Sequence, residues 1–228
     1  TLAGAHAGRR TEAGRMLLDW AGRSGADAGR RAMLAGALSH ITETDDLHRG
    51  SVTHPGCVVV PAALAIGERD GRSGAAILTA ILHGYEAMCR IGRTVGPAHY
   101  RIWHNTATCG PFGSAMAAAS LLGLDAAQTV SALGNAGTQS SGVWEFMATG
   151  AMSKHLHAGR AAEAGLIAAE LAATGFTGPP QILEGGRGLY AAMCPAPAAL
   201  LAAPGGPWEL QQTSIKPWPS CRHTHPVI

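Results

Sequence analysis

Histidines and carboxylates crowd one short stretch of the sequence, "HITETDDLHRGSVTHPG", at residues 40–56. Acids and imidazoles at this density can transfer protons or bind a metal ion. Helical metal sites repeat their ligands on one face, whereas Gly50 and Pro55 indicate irregular backbone, so the pattern favours proton transfer. The candidate groups of this stretch are Glu43, Asp45, Asp46, His48 and His54.

Two plainer interpretations of the same stretch stay open. His54 directly precedes Pro55, and a histidine there could stabilise a turn or pack in the core. Asp45 and Asp46 could form a solvated patch after a helix.

A second group, "WHNTATCG" at residues 103–110, stands directly before a helix with almost no charge. Thr106 or Thr108 would cap that helix, whose free N–H groups favour an anion such as a carboxylate. His104 would then lie at the mouth of an anion site. The alternative is a surface histidine in front of an ordinary cap.

A third group, "GAMSKHLHAGRAAEAG" at residues 150–165, places cationic residues in a helix of small side chains. Lys154 and His157 are three residues apart and share a helix face. Together with Arg160 they would suit an anionic substrate, although a solvated basic patch would explain them too.

The fourth group, "IKPWPSCRHTHPVI" at residues 215–228, contains Lys216, Cys221, His223 and His225. A disordered basic tail is one interpretation of this segment. Trp218 and the two prolines beside it argue for a folded segment instead, because disordered tails contain few such residues.

Helices must position these groups, because segments rich in Ala, Leu and Met dominate the chain. Ser73 and Asp125 are predicted N-caps, and Gly71, Gly123 and Gly175 are predicted helix ends. The predicted helices are 11–23, 27–40, 57–69, 73–95, 107–122, 125–138, 155–174 and 196–203.

One alternating pattern, "WELQQTSIKPW" at residues 208–218, predicts a β-strand. The Pro/Gly-rich run before it is typical of a boundary between two units. We therefore expect a helical domain over residues 1–203 and the start of a second unit over residues 204–228.

The amino-acid composition limits the binding partners and the cellular location that we expect for this protein. The net charge of +2 comes without basic runs, so we expect no nucleic acid partner. Only 14% of residues are charged, which favours surface buried in a homodimer or heteromer. No apolar stretch approaches the roughly 20 residues of a membrane span, so we expect a cytoplasmic protein without membrane attachment.

Five cysteines lack the close pairs of a metal cluster or a disulfide framework. We interpret four as small buried side chains, and only Cys221 has polar and cationic neighbours. The cysteine pattern therefore supports neither a disulfide framework nor a zinc or iron–sulfur cluster.

In order and spacing, a series of motifs over nearly the whole chain resembles the MmgE/PrpD family, which includes 2-methylcitrate dehydratase, cis-aconitate decarboxylase and iminodisuccinate epimerase. The motifs are "TDDLHRGSVTHPG", "PAALAIGE", "HGYEAMCRIG", "WHNTATCGPFGSAMAAASLLGLD", "ALGNAGTQSSG", "MSKHLHAGRAAEAGLIAAELAATGFTGP", "ILEGGRGLY" and "KPWPSCRHTH".

The resemblance implies a mainly α fold: an all-helical domain followed by the beginning of an α+β lid domain, with the rest of the lid absent or on another chain. It also implies a cofactor-independent lyase, a dehydratase or decarboxylase with a hydro-lyase favoured. The reaction would begin by proton abstraction next to a carboxylate of a small di- or tricarboxylate. The chain could act alone or as one subunit of a split enzyme.

The same resemblance assigns roles to residues. His104 corresponds to an acid/base histidine, His54 to a further pocket histidine, and Lys154 and Lys216 to carboxylate clamps. Asp45 and Asp46 would act as acids that orient these side chains in the site. We expect the outer contacts to substrate from His157, Arg160, Cys221, His223 and His225.

One run departs from the family pattern at three positions. A common Asp-aromatic-Asp-Asp-Thr run reads Glu43-Thr44-Asp45-Asp46-Leu47 here, so a carboxylate is lengthened and a hydroxyl is lost. These changes leave two alternatives beside the lyase: an epimerase or isomerase of the same family, and a non-catalytic dimerisation partner.

Overall fold

Helices form where small and unbranched apolar residues predominate, because these side chains lose little rotamer freedom on a helix. The computed structural model describes residues 1–25, 27–197 and 206–228. The fold is mainly α, as predicted. The α-helices are α1 (Leu2–Gly8), α2 (Glu12–Ser24), α3 (Ala28–Ile41), α4 (Gly56–Arg69), α5 (Gly74–Thr94), α6 (Gly96–Tyr100), α7 (Asn105–Leu122), α8 (Ala126–Gly137), α9 (Ser153–Ala173) and α10 (Leu189–Met193).

The predicted long strand at 208–218 is mostly wrong. Residues Glu209–Gln212 form a 3₁₀ helix, and only Thr213–Ser214 form a strand, β2. It pairs antiparallel with β1 (Leu47–His48), with Leu47 opposite Ser214. Two further 3₁₀ helices are Trp144–Ala148 and Arg222–Val227.

Helix ends follow the predicted chemistry in several places. The Ser73 hydroxyl accepts a hydrogen bond from the Ala76 amide, and Asp125 forms a capping box with Gln128. Gly123 ends α7 in the left-handed conformation, with φ of 71°.

The predicted threonine cap of α7 is wrong. The helix begins at Asn105 with His104 in the N-cap position, so Thr106 and Thr108 lie inside the first turn. Their hydroxyls serve tertiary contacts instead: Thr106 accepts a hydrogen bond from the His54 amide at 3.0 Å.

Short helices were not predicted, because α1, α6 and α10 span only two turns or fewer. Of the predicted helix 196–203, residues 198–203 lie outside the described residues, and residues 196 and 197 are not helical. The predicted domain boundary at 203/204 also lies outside the described residues, so it stays a prediction.

Helices α7 and α9 form the centre of the bundle. Helix α9 packs against α3, α7 and α8, while α7 also packs against α4 and α5. At Gly165 and Gly110 the two helices approach so closely that a Cβ atom would overlap the facing helix. Larger apolar residues fill the space around this contact: Val58, Ile66, Met88, Phe112 and Leu166.

The segment between α3 and α4 pairs through β1 with β2, and the 3₁₀ helix Glu209–Gln212 packs against α5 and β1. Glu209 joins this 3₁₀ helix to β1 and α5, because its carboxylate pairs with His48 at 2.9 Å and with Arg93 at 2.7 Å. His48 therefore has a structural partner in this 3₁₀ helix. Within the described residues, no helix is long and apolar enough to span a membrane.

The close contact of α7 and α9 predicts a strong effect for Gly165→Ala. The added methyl group would overlap the Ser114 hydroxyl and the Pro111 carbonyl. Overpacking of this kind costs about 1–3 kcal/mol, and we expect that loss in the free energy of unfolding, measured by urea denaturation. In the control Gly22→Ala the site is open, and stability should rise by about 0.5–1 kcal/mol. Similar losses in both variants would contradict the packing.

Candidate functional site

The carboxylate of Asp45 is fully buried, and two imidazoles and one ammonium group surround it. Its Oδ2 lies 2.6 Å from His40 Nδ1 and 3.6 Å from His54 Nδ1. Its Oδ1 lies 3.4 Å from Lys216 Nζ. Burial raises the pKa of Asp45, but the charges of His40, His54 and Lys216 outweigh it and hold the pKa well below its ordinary value. The alternative of a solvated Asp45 patch is wrong.

His40 connects Asp45 to the other imidazoles. It lies in the last turn of α3 and is fully buried. Its ring centroid is 5.7 Å from that of His104, with the planes nearly parallel, and 5.1 Å from that of His54. The Nε2 atom of His40 is buried without a hydrogen-bond partner.

His54 has a defined tautomer. Its Nδ1 lies 2.7 Å from the carbonyl oxygen of Asp46, and a carbonyl can only accept, so Nδ1 carries the proton. The Nε2 atom therefore keeps its lone pair. Burial and the charges of His40 and Lys216 lower the pKa of His54 to about 4, despite the opposing charge of Asp45.

Asp46 holds the turn before α4 in place. Its Oδ2 accepts a hydrogen bond from the Tyr85 hydroxyl at 2.8 Å, and its Oδ1 accepts one from the Gly56 amide at 2.9 Å. Burial raises the pKa of Asp46 to about 6, and the neighbouring charge of Asp45 adds to that rise while the two hydrogen bonds oppose it.

His104 lies at the N-terminus of α7, only 2% exposed, so the alternative of a surface histidine is wrong. Its Nδ1 lies 3.2 Å from Nδ1 of His157 on α9, and Trp144 packs against its ring at 4.6 Å. Burial lowers the pKa of His104 well below its ordinary value, and the charges of His40 and His54 lower it further. The imidazole is therefore neutral near pH 7.

Two ammonium groups meet at Glu43. Lys154 at the start of α9 pairs with Glu43 Oε1, and Lys216 Nζ lies 2.8 Å from Glu43 Oε2. Lys216 also donates to the Glu43 carbonyl at 3.1 Å. Burial lowers the pKa of Lys216, but Asp45 and Glu43 outweigh it and raise the pKa above its ordinary value.

A cleft of about 640 Å³ opens on the solvent side of His157. Trp103, Val143 and Phe146 give it apolar walls, and Arg160 lies at its edge. Arg160 pairs with Glu163 on its own helix, and its guanidinium is half exposed. The structure thus separates Arg160 from the buried cluster and places it beside the cleft.

Cys221, His223 and His225 lie outside the buried cluster. Cys221 Sγ is 3.6 Å from His223 Nδ1, and His225 Nε2 lies 3.3 Å from the Ser220 carbonyl. The His223 ring is 6.5 Å from Tyr100, whose ring packs on Trp144. Ring contacts thus connect His223 to His104 through Tyr100 and Trp144, and the expected contact of these three residues with substrate stays a prediction.

Three of the buried groups could hold a metal ion, because ligand atoms of His40, Asp45 and His54 lie within 4.8 Å of one another. The ammonium of Lys216 also lies beside Asp45, and its charge opposes a divalent cation. Nδ1 of His54 already donates to a carbonyl. Chemistry without a metal therefore stays our expectation.

Sequence reasoning missed His40 and gave Glu43 only as a departure from a pattern. His40 looks like the last polar residue of an apolar helix, "AGALSHI", and its only signal is Asp45 five residues later across the helix end. The supporting Tyr85 and Trp144 have no local signal, because they reach the site from α5 and from the 3₁₀ helix Trp144–Ala148.

The buried charge of Asp45 predicts a large loss of stability for Asp45→Asn. The substitution removes the buried anion that contacts His40 and Lys216, and breaking a buried pair typically costs about 3–5 kcal/mol. The control Asp19→Asn breaks an exposed pair with Arg23 and should change the free energy of unfolding by less than about 1 kcal/mol. Equal effects in urea denaturation would contradict the buried pair.

The buried histidines predict that the protein loses stability in mild acid. Burial, with the charges of His40 and Lys154, lowers the pKa of His157 from 6.5 to about 4, and His54 shifts equally far. The unfolded chain therefore binds more protons between those values, and the stabilisation present above pH 6.5 is lost as the pH falls toward 4. Asp46 has the opposite effect on stability, because its pKa is raised to about 6. It is a single group, whereas several buried histidines lose stability in acid.

The melting temperature should therefore fall from pH 7 to pH 5, and His157→Gln should make that fall smaller. The exposed His6 provides the control, because His6→Gln should leave the slope unchanged. A melting temperature that rises from pH 7 to pH 5 would contradict neutral buried imidazoles.

Comparison with known proteins relates this geometry to a family. A sequence model of the MmgE/PrpD N-terminal domain matches residues 5–200. A cis-aconitate decarboxylase-like protein of Aspergillus oryzae is 32% identical over 171 residues, 71% of this chain and 35% of that protein. The cis-aconitate decarboxylase of Aspergillus terreus is 32% identical over 169 residues, which are 71% of this chain and 34% of that protein. The cis-aconitate decarboxylase of Homo sapiens is 31% identical over 204 residues, which are 85% of this chain and 42% of that protein.

The chain thus spans about a third to two fifths of the length of these relatives. The family match covers the helical bundle and most of the buried cluster, including His54, His104 and Lys154. On this match, and on a mainly α fold, the chain belongs to the MmgE/PrpD family.

Proposed function

We propose that this chain supplies the helical part of the active site of a cofactor-independent lyase acting on a small di- or tricarboxylate. One observation carries the proposal: the ammonium groups of Lys154 and Lys216 meet at Glu43, and the neutral imidazoles lie close by. His54 lies beside Asp45, and His104 stacks on His40, which contacts Asp45. Cations and neutral bases side by side are what carboxylate chemistry requires.

Lys154 and Lys216 would bind a substrate carboxylate. Proton abstraction next to a carboxylate adds charge to a group that is already anionic, so nearby cations must stabilise the intermediate. Lys216 is only 8% exposed, and its charge is weakly screened by water. Both lysines can donate charge-assisted hydrogen bonds to such an intermediate.

His54 and His104 would carry the proton. A general base must be unprotonated at the working pH, and both imidazoles meet that condition because burial lowers their pKa. In His54 the bond from Nδ1 to the Asp46 carbonyl leaves Nε2 as the basic atom. His157 would hold the tautomer of His104 through their shared hydrogen bond.

Two reaction types fit these roles. In a decarboxylation the bond between carbon and the leaving carboxylate breaks, its electron pair stays on carbon, and an acid supplies a proton there. In a dehydration a base removes the proton next to a carboxylate and an acid protonates the departing hydroxyl. The names of the relatives favour decarboxylation, whereas the neutral imidazoles favour dehydration or an isomerisation that returns the proton.

We propose further that the remaining part of the family architecture completes the site, on this polypeptide or on a partner. The low share of charged residues supports a homodimer or heteromer. A non-catalytic dimerisation partner remains the second candidate, because buried Leu47 offers no hydroxyl where relatives of the family commonly have threonine.

The proposal predicts that Lys154→Ala and His104→Asn abolish turnover of cis-aconitate, citrate or malate. The assay uses the purified protein together with any polypeptide that completes it, and follows CO₂ release and product formation by NMR. We expect kcat/KM to fall by about 100-fold or more in each variant, since acid–base groups contribute about 10²–10⁴-fold.

Matched controls are His83→Asn and Arg69→Ala. His83 bonds Ser120 between α5 and α7, and Arg69 pairs with Glu170 on the exposed side of α9. Both should keep kcat/KM within about twofold of the parent, and circular dichroism should show all four variants folded. Absence of turnover in the intact assembly on all three acids would favour the dimerisation partner.

A further inference from the structure

The chain contains only two lysines, and both end on one carboxylate. Lys154 and Lys216 are 62 positions apart in sequence, yet they contact the two different oxygens of Glu43. A bidentate carboxylate between two ammonium groups is the arrangement expected of a bound substrate carboxylate. Here the protein itself supplies that anion.

Glu43 is held there against its backbone preference. Its φ of 53° lies in the left-handed region, which residues with a Cβ rarely adopt. The chain keeps this conformation because Lys216 donates to both the carbonyl and the carboxylate of Glu43. The neighbouring hydroxyls of Thr42 and Thr44 bond each other at 2.8 Å and close the turn around it.

Asp45 differs from Glu43 in one important respect. Asp45 is fully buried and bonded on both oxygens, so it has no room to leave. The Glu43 side chain is 18% exposed and lies on the outer side of Lys216. It is the carboxylate that can swing out while Asp45 keeps the positive groups together.

A substrate carboxylate cannot lie beside this pair unchanged. Burial raises the pKa of Glu43, but His40, Lys154 and Lys216 outweigh it and lower the pKa to about 2, so the side chain is an anion at neutral pH. Two carboxylates at one pair of ammonium groups would repel each other.

We propose that the Glu43 carboxylate is a built-in occupant of the anion site, which sets the spacing of Lys154 and Lys216 and which an incoming substrate carboxylate must displace. This inference rests on the proposed function. Its consequence is selectivity, because a ligand binds only if its own carboxylate replaces the interactions that Glu43 loses. The occupant also lowers apparent affinity, since only the fraction of molecules with Glu43 displaced is competent to bind.

The test uses tricarballylate, a tricarboxylate without a leaving group, and the complete protein. Lysine is labelled with ¹³C at the ε carbon, and the signals of Lys154 and Lys216 are assigned with Lys154→Arg and Lys216→Arg. We expect tricarballylate to shift both signals in the parent protein. In Glu43→Gln, which keeps the shape and removes the charge, calorimetry should show at least tenfold tighter binding of tricarballylate.

Loss of the anion between two ammonium groups also destabilises Glu43→Gln, so tricarballylate should raise its melting temperature more than that of the parent. Glu43→Asp keeps the charge but withdraws it by one methylene, and should give an intermediate gain in affinity if Glu43→Gln does not fold. Glu170→Gln, at an exposed pair with Arg69, should leave the affinity unchanged.

Each outcome decides the matter. If the parent binds tricarballylate at both lysines and the Glu43 variants bind it equally or more weakly, Glu43 is no displaceable occupant and the inference fails while the proposed function stands. If tricarballylate moves neither lysine signal in any protein, the anion site itself is refuted, and the proposed function fails with it.

Discussion

The buried charge of Asp45 is the constraint on which the rest of the site depends. A carboxylate taken out of water is costly unless cations and donors surround it. His40 from the end of α3, His54 from the turn before α4 and Lys216 from the segment after β2 meet this requirement together. Lys216, which is far away in sequence, therefore meets two histidines of one short segment, and the imidazoles arrive there already close to one another.

Close helix packing makes that convergence possible. Because small residues let α7 and α9 approach each other, the first turns of the two helices present His104, Lys154 and His157 within one small region. Larger side chains at Gly110 or Gly165 would push the helices apart and separate the two histidines. The small-residue composition of these helices thus serves the geometry of the site as well as the core.

Charge then divides the buried groups into two kinds. Positive neighbours and burial keep His54 and His104 neutral, whereas acidic neighbours keep Lys216 charged. A site with neutral bases and permanent cations side by side suits proton transfer next to a carboxylate. The same cations bind a carboxylate of the protein, that of Glu43, at the position that we propose for a substrate carboxylate.

The sequence by itself determined the mainly helical fold, the caps at Ser73 and Asp125 and the family, because helix periodicity, capping chemistry and motif order are local properties of the chain. It also singled out His54, His104, Lys154 and Lys216. Only the tertiary structure decided that His40 belongs with them and that Thr106 bonds the His54 amide instead of capping α7. It likewise replaced most of the strand predicted at 208–218 by a 3₁₀ helix whose Glu209 bonds His48 and Arg93. The physical reason is that burial and long-range pairing set these contacts, and neither is encoded in the spacing of neighbouring residues.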